Sequence, residues 1–431
     1  MARCTLSQNY DIKLESSLIY HAVGQGLFSS GKIVIKNSDN KAIANEFNYV
    51  YDCGTNNTAK ILEDRINEFK SKNTKNFDLI VVSHFDRDHV NGLEKLLKDR
   101  TVRRLVLPYL EPKQRLSLVL RYYNRNRKIA SMIFNPTSFF DDYAEEIIYI
   151  TNDNNGYKAA EDNNRYNEKL EFSNDNDLIS STGEEIGKES MRSDFALISS
   201  KAKVYNKLEL KYAELVKFKF FNKTIDDSEL LPFYKGINTI LDKHGIELNE
   251  NLFKNKAIMK EMKGLYNGLP YGINNSSICM AITPEESDKF TNTNGKCLIN
   301  IIIGQGRFHK QCFQRFGYMF TGDLSFNNTS KYLVYDDFIK YYENEREFIS
   351  VFTIPHHGSV YNWNKDLLSK FKNADMIITS RGNTQHPSQI VLRDLSLASR
   401  LSTTVNHTLN KVIYDEVFYK TYVEDKECAM D

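Results

Sequence analysis

The chain has 431 residues, 41% hydrophobic and 26% charged, with a net charge of +1. That length supports a large core, in one big domain or two ordinary ones. The balanced charge excludes polyanion binding by the whole surface, so nucleic-acid contact requires a local patch.

Residues 17–52 read as strands: Leu18–Val23 running into Gly24-Gln25-Gly26, then Lys32–Ile35 and Phe47–Tyr51, the last ending at Asp52-Cys53-Gly54. Gly-x-Gly is a turn far more often than a phosphate cradle, and a second copy stands at Gly304-Gln305-Gly306. Asp52 either caps a helix near Ala59–Phe69 or braces the neighbouring loop. That loop is Ser83-His84-Phe85-Asp86-Arg87-Asp88-His89, which follows the buried-strand run Asp78–Val82 and precedes a short helix through Leu93, Leu96 and Leu97. Two imidazoles and two carboxylates at a strand end suit a metal site.

Thr101–Lys128 is dense in cations, including Arg103, Arg104, Arg115, Arg121 and Arg125, with Tyr109, Tyr122 and Tyr123 among them and a helical pattern from Gln114. It reads either as a solvated helix face or as a surface whose cations track phosphates while tyrosines stack bases. Residues 151–195, with three Asn/Asp-rich runs, read as a long loop or flexible insertion. Leu208–Phe221 carries alternating or amphipathic apolar residues, and helices are expected at Ser228–Lys243 and Asn251–Tyr266. Residues 110–270 thus form an insertion between a first part, 1–109, and a second, 271–431. It either shapes a substrate entrance or docks a protein partner.

The strand pattern resumes at Ile278–Ile282, Cys297–Ile303 and Tyr318–Thr321, the last ending in Gly322-Asp323. Phe348–Ile354 ends in Pro355-His356-His357-Gly358-Ser359, and Asp375–Ser380 leads to His386-Pro387. Five of the nine histidines (His84, His89, His356, His357 and His386) therefore follow apolar strands in three clusters, and Asp52 and Asp323 end strands too. Ligands from several strand ends on one sheet edge converge in space. His84, Asp86, Asp88 and His89 are the first-choice ligands, with Asp323 bridging. Of His356 and His357, adjacent side chains pointing opposite ways, one binds metal or protonates a leaving group. His386 is a ligand or acid, and Ser359 orients the site. His21, His244, His309 and His407 have no such companions and read as structural or surface residues. The expected cofactor is one or two divalent ions, zinc or manganese, that activate water.

Six scattered cysteines without a Cys-x-x-Cys pair read as reduced thiols. Residues 1–16 lack a signal peptide's apolar core, and no run approaches the ~20 apolar residues of a membrane span. A cytoplasmic location without membrane contact is the expectation.

Together these residues resemble the metallo-β-lactamase superfamily, and within it the ComEC-type hydrolase domain. The matches are Val23–Gly26, Asp52–Gly54, His84–His89, Asn275–Ser277, Thr321–Asp323, His356–Ser359 and His386–Pro387, all in that family's order. They span about residues 17–108 and 271–390. The resemblance implies an α/β fold, an αββα sandwich with a metal site at one edge, and hydrolysis, with phosphodiester cleavage in DNA or RNA as the leading activity. The alternatives are hydrolysis of a small phosphodiester or ester and service as a partner-gated subunit of a larger complex.

Overall fold

The computed structural model describes residues 12–151, 179–186, 194–197, 199–222, 230–266, 277–285, 290–292, 297–303, 306–312, 316–327, 334–380, 386–408 and 410–421. The Asn-rich runs between 152 and 178, the Gly304–Gln305 turn and Asn275 lie outside those residues.

In the first part, β1 (Ile12–Tyr20), β2 (Phe28–Asn37) and β3 (Phe47–Cys53) pair antiparallel in sequence order. Buried and half-buried residues alternate along all of β1, the period of a strand with one face on the core. Helix α1 (Ala59–Lys72), which buries Leu62, Ile66 and Phe69, crosses to β4 (Phe77–Val81), parallel to β3. The short α2 (Arg87–Val90) and α3 (Leu93–Leu97) then lead to β5 (Val102–Pro108), parallel to β4. Tyr51 pairs with Val81, so the residues just past β3 and β4 emerge side by side.

The middle segment continues this sheet. After α4 (Pro112–Tyr122), α5 (Arg127–Phe134) and α6 (Pro136–Phe140), β6 (Ala144–Ile150) adds parallel to β5. Beyond β7 (Ile179–Glu185), β8 (Ala202–Tyr212) pairs parallel with β6 and antiparallel with β7 and β9 (Val216–Phe221). The ambiguous 208–221 stretch is therefore a β-hairpin, whose alternating Val216, Phe218 and Phe220 are buried. Helices α7 (Leu231–His244) and α8 (Lys256–Tyr266) follow. Then β10 (Cys279–Pro284) pairs antiparallel with β9, so residues 110–270 join the outer two parts through backbone hydrogen bonds.

In the last part come β11 (Phe290–Asn292), β12 (Cys297–Ile303), β13 (Gly306–Cys312) and β14 (Tyr318–Phe320), which pairs antiparallel with β10. Then α9 (Val334–Tyr341), β15 (Val351–Thr353), α10 (Leu367–Lys370), β16 (Asp375–Thr379), α11 (Gln389–Leu397) and β17 (Ser402–Val405) alternate, with β14 to β17 parallel. Finally β18 (Lys411–Thr421) pairs antiparallel with β1, tying the two ends of the described chain together.

Three apolar clusters fill the molecule. One packs α1, α3, α4, α5, α7 and α8 against the first strands, and another packs α9, α10 and α11 against β14 to β16. The third gathers inward residues of both parts, including Tyr20, Tyr51, Phe218, Phe320 and Val351. Tyr51 stacks on Phe320 at 4.7 Å, and the Tyr20 hydroxyl meets Thr353 Oγ1 at 2.7 Å. Among the described residues no helix is long and apolar enough to cross a membrane.

Candidate metal centre

The parallel strands β3, β4, β14, β15 and β16 all deliver their carboxyl ends to one place. Asp52, at φ 57°, is wholly buried and serves as a brace. Its Oδ1 accepts the Ser83 N–H at 2.7 Å, and its Oδ2 accepts the Ser83 hydroxyl at 2.6 Å and His89 Nδ1–H at 2.7 Å. The α1 cap position belongs instead to Thr58.

This network fixes the imidazole protons. A carboxylate only accepts, so His89 Nδ1 carries the hydrogen. Because the Ser83 proton is spent on Asp52, Ser83 Oγ accepts from His84 Nδ1 at 2.9 Å. His357 Nδ1 donates to the Thr379 carbonyl at 2.7 Å. Asn362 Nδ2 donates to the Asp323 carbonyl at 2.8 Å, which turns its Oδ1 to accept His356 Nδ1–H at 2.9 Å. Four histidines are thus held by Nδ1, and all four have Nε2 left for the site, the arrangement in which metal-binding imidazoles are oriented by a second layer of acceptors.

Those Nε2 atoms converge on two carboxylates. Asp323 Oδ2 lies 3.6 Å from His84 Nε2 and 3.6 Å from His356 Nε2, and Oδ1 lies 3.3 Å from His89 Nε2. Asp88 Oδ2 lies 3.3 Å from His357 Nε2. The Nε2 atoms of His84, His89 and His357 and Oδ1 of Asp323 are buried without a hydrogen-bond partner. Such orphaned atoms are costly. A cation between them satisfies them, so the donor set fits a divalent metal. Two triads have ligand atoms within 4.8 Å of one another: His84, His89 and Asp323, and Asp88, His89 and His357. Imidazole with carboxylate is a donor set for zinc, manganese or iron.

The carboxylates and imidazoles of the site also bias one another's protonation. Burial alone would push His89 down, yet Asp323 and Asp52 outweigh it and hold His89 well above the ordinary imidazole range. Burial raises Asp323, but His356, His89 and His84 together hold it well below the ordinary carboxylate range. Asp88, opposed by burial, is brought down to about 2 by its contact with His357 and the charge of His89. Burial and neighbouring His89 depress His84. The carboxylates are therefore anionic, and a cation that binds through His89 must displace the proton on its Nε2.

Glycines let these loops close on one another. A Cβ on Gly54 would lie 2.4 Å from the Asp88 carbonyl carbon and from His89 N. Gly26, at φ 147°, has the Asp88 carbonyl oxygen 2.9 Å from its Cβ position, and the adjacent Leu27 N–H donates to that oxygen at 3.1 Å. The Val23–Gly26 turn is thus a support beneath the ligand loop. His356, His357 and Gly358 all adopt left-handed backbone, at φ 46°, 56° and 83°. The Ser277 hydroxyl accepts the Asp323 N–H at 3.2 Å, and Ser359, buried, anchors the same turn by donating its N–H to the His356 carbonyl.

His356, with a side chain 41% exposed, forms the open side, and His386 stacks on it at 5.6 Å. The structure does not bring Asp86 into either triad: its Oδ2 is 4.0 Å from His84 Nε2, and its Oδ1 accepts Arg121 Nη1–H at 2.9 Å and the Tyr122 hydroxyl at 3.1 Å.

The basic stretch differs from its expectation as a phosphate-tracking face. Arg115 is buried and forks onto Asp194, at 2.8 Å for Nη1, and cannot reach a nucleic-acid backbone. Arg104 pairs with Glu146 at 3.1 Å, Arg103 faces Asp78 at 4.0 Å, and Arg121 serves Asp86; Arg125 is exposed. Tyr109, Tyr122 and Tyr123 are buried and offer no stacking face. Sequence reasoning missed Asn362 and Asn91, whose side chains fix backbone; Asn91 bonds Thr55 at both N–H and carbonyl. Only their place beside ligand motifs hinted at this.

No family model matches the sequence, and no curated protein does. Among solved structures, the chain is similar to a long-form RNase Z from yeast at 12% identity, over 52% of this chain and 29% of that one, with a TM-score of 0.18. The chain thus spans under a third of that structure's length.

Proposed function

We propose that the chain is a metal-dependent phosphodiesterase of the metallo-β-lactamase fold, acting on DNA or RNA and resembling the ComEC-type branch. The observation that carries the reading is the convergence of imidazole Nε2 atoms, each fixed through Nδ1, on Asp323 and Asp88. Three apolar clusters, two of them containing helices and one lying between strands of both parts, support an αββα sandwich. The order of the matching motifs along the chain supports the family.

In this reading a divalent ion would be held either by His84, His89 and Asp323 or by Asp88, His89 and His357, because the one free Nε2 of His89 serves a single ion. A bound ion supplies an activated water and neutralises charge building on a phosphoryl oxygen. Asp52 and Ser83 keep His84 and His89 in the tautomer that presents Nε2. Asn362 likewise holds Nδ1 of His356, and His356, once protonated on Nε2 as well, would supply from the open side the proton a leaving oxygen needs, with His386 stacked beside it. Asp86, paired with Arg121 and hydrogen-bonded by Tyr122, would orient the loop from outside the triads.

The test is cleavage of single- and double-stranded DNA and RNA by purified protein with manganese or zinc, beside Asp88→Ala. Metal-dependent cleavage that disappears in D88A is the expected result. Metal-loaded protein that leaves all four substrates intact would overturn the nuclease reading.

A further inference from the structure

Nucleases need more than charge to position a strand; single strands are commonly held by aromatic rings stacked on bases. The tyrosines of the basic stretch are buried, so a stacking ring must be one that solvent reaches near the site. Among the described residues, the strongly exposed large apolar side chains are Leu231, Tyr361, Ile390, Leu397 and Leu401. Tyr361 is the aromatic one, at 80% exposed.

Exposure alone means little, because single apolar residues on surfaces are ordinary. The place and the anchoring of Tyr361 mean more. It is joined by one peptide bond to Asn362, the residue that binds both His356 Nδ1 at 2.9 Å and the Asp323 carbonyl at 2.8 Å. Its Cα is therefore about 3.8 Å from that of a residue touching the metal centre. Its own backbone is pinned on both sides: the N–H donates to Ser359 Oγ at 3.3 Å, and the carbonyl accepts the Ser325 hydroxyl at 3.2 Å. Asn362 and Trp363, immediately after it, are buried, and the Trp363 indole N–H donates to Asp394 at 3.1 Å. The chain thus holds a fixed backbone between two site loops while leaving one aromatic ring in water. A ring on so rigid a mount loses little freedom when a flat partner covers it.

We propose that Tyr361 is the stacking platform for a nucleobase next to the scissile phosphodiester. The inference rests on the nuclease reading and names the part of the substrate that reading leaves open: a base with an accessible π face, in single-stranded or unpaired nucleic acid. Any base can stack, so the platform confers preference for unpaired strands and not for a sequence.

The experiment uses the full chain and a short single-stranded oligonucleotide carrying 2-aminopurine, whose fluorescence falls on stacking. Binding is measured with metal chelated, for the native protein, Tyr361→Ala and Tyr361→Phe. Native and Y361F proteins are expected to quench the probe. Y361A is expected to lose the quenching and to bind about 5- to 150-fold more weakly, the range that removal of one stacked base gives. A strand of the same length with abasic sites throughout should bind native and Y361A proteins equally. Because the ring is mostly in water, the melting temperature of Y361A should stay at the native value, which separates lost stacking from lost folding. If the native protein cleaves nucleic acid while Y361A quenches and binds like the native, this inference falls and the nuclease reading stands. If the native protein neither binds nor cleaves any strand, both fall.

Discussion

The centre is built by two loops that deliver the same atom by opposite means. Ser83–His89 buries its histidines completely and fixes them through one carboxylate, Asp52, which takes three hydrogen bonds at once. Pro355–Ser359 uses left-handed backbone at three successive residues to turn two adjacent histidines to the same centre, where extended backbone would send them apart. One of these, His357, is as buried as the first pair, whereas His356 is half in solvent. On the proposed function, the first loop serves an ion and the second an ion and a substrate. Damage to the first should abolish metal binding, and damage to the second should separate metal binding from turnover.

The largest effect is expected from Asp52→Ala. It strands the buried His89 Nδ1–H and two Ser83 donors, a loss of about 3–5 kcal/mol by analogy with broken buried charge contacts. Denaturant titration should show that drop, and a zinc-binding titration should show metal affinity gone. Next is Asn362→Ala, which frees His356 without touching the first loop. Cleavage should fall about 10- to 100-fold, the usual effect of removing a group that orients a site imidazole, with bound metal retained. Loss of metal from N362A would show that Asn362 serves ion binding, through His356 or through Asp323, and would weaken the division between the loops.

A buried histidine outside the centre sharpens the contrast. His21 stacks on Phe28 at 3.9 Å, and its Nε2 meets Ser30 Oγ at 2.8 Å, so it has no orphaned atom to offer a metal. Burial pushes it down to about 3, against about 6.5 in the unfolded chain. The folded state then binds fewer protons between those values, and stability present above pH 6.5 is lost as pH falls toward 3. Between pH 7 and 5 the native protein should lose about 2 kcal/mol more than His21→Gln, at about 1.4 kcal/mol per unit. Equal losses in urea titrations at the two pH values would show that His21 is not the source. The smallest effect is expected for Arg121→Ala: its side chain is 36% exposed, so the pair with Asp86 is worth at most about 1 kcal/mol. Metal content should be unchanged, consistent with Asp86 outside both triads.

The two loops were legible in the sequence to different degrees. His84, Asp88, His89 and Asp323 could be picked out because each follows an apolar strand, and strand ends share an edge. The division of labour between His356 and His357 could not, since it depends on positive φ at both residues, which neither side chain signals. Asn362 was hidden for a related reason: an asparagine that fixes a neighbour's proton looks like any turn residue. The basic stretch misled in the opposite direction. Arg115 reads as a surface cation until its partner, Asp194, 79 positions away, closes over it. For the same reason β8 and β9 looked like either element, because their pairing with β6 and β10 is made by distant chain.

The proposed function requires the fixed Nε2 atoms and two carboxylates to hold a divalent cation. Native mass spectrometry of the full chain, equilibrated with zinc or manganese and then passed through gel filtration, tests it directly beside Asp323→Asn. The native protein should retain one or two ions per chain, and the variant, folded but lacking the charge that faces three histidines, should retain fewer. Native protein that emerges folded and free of metal would show that the centre holds no divalent ion.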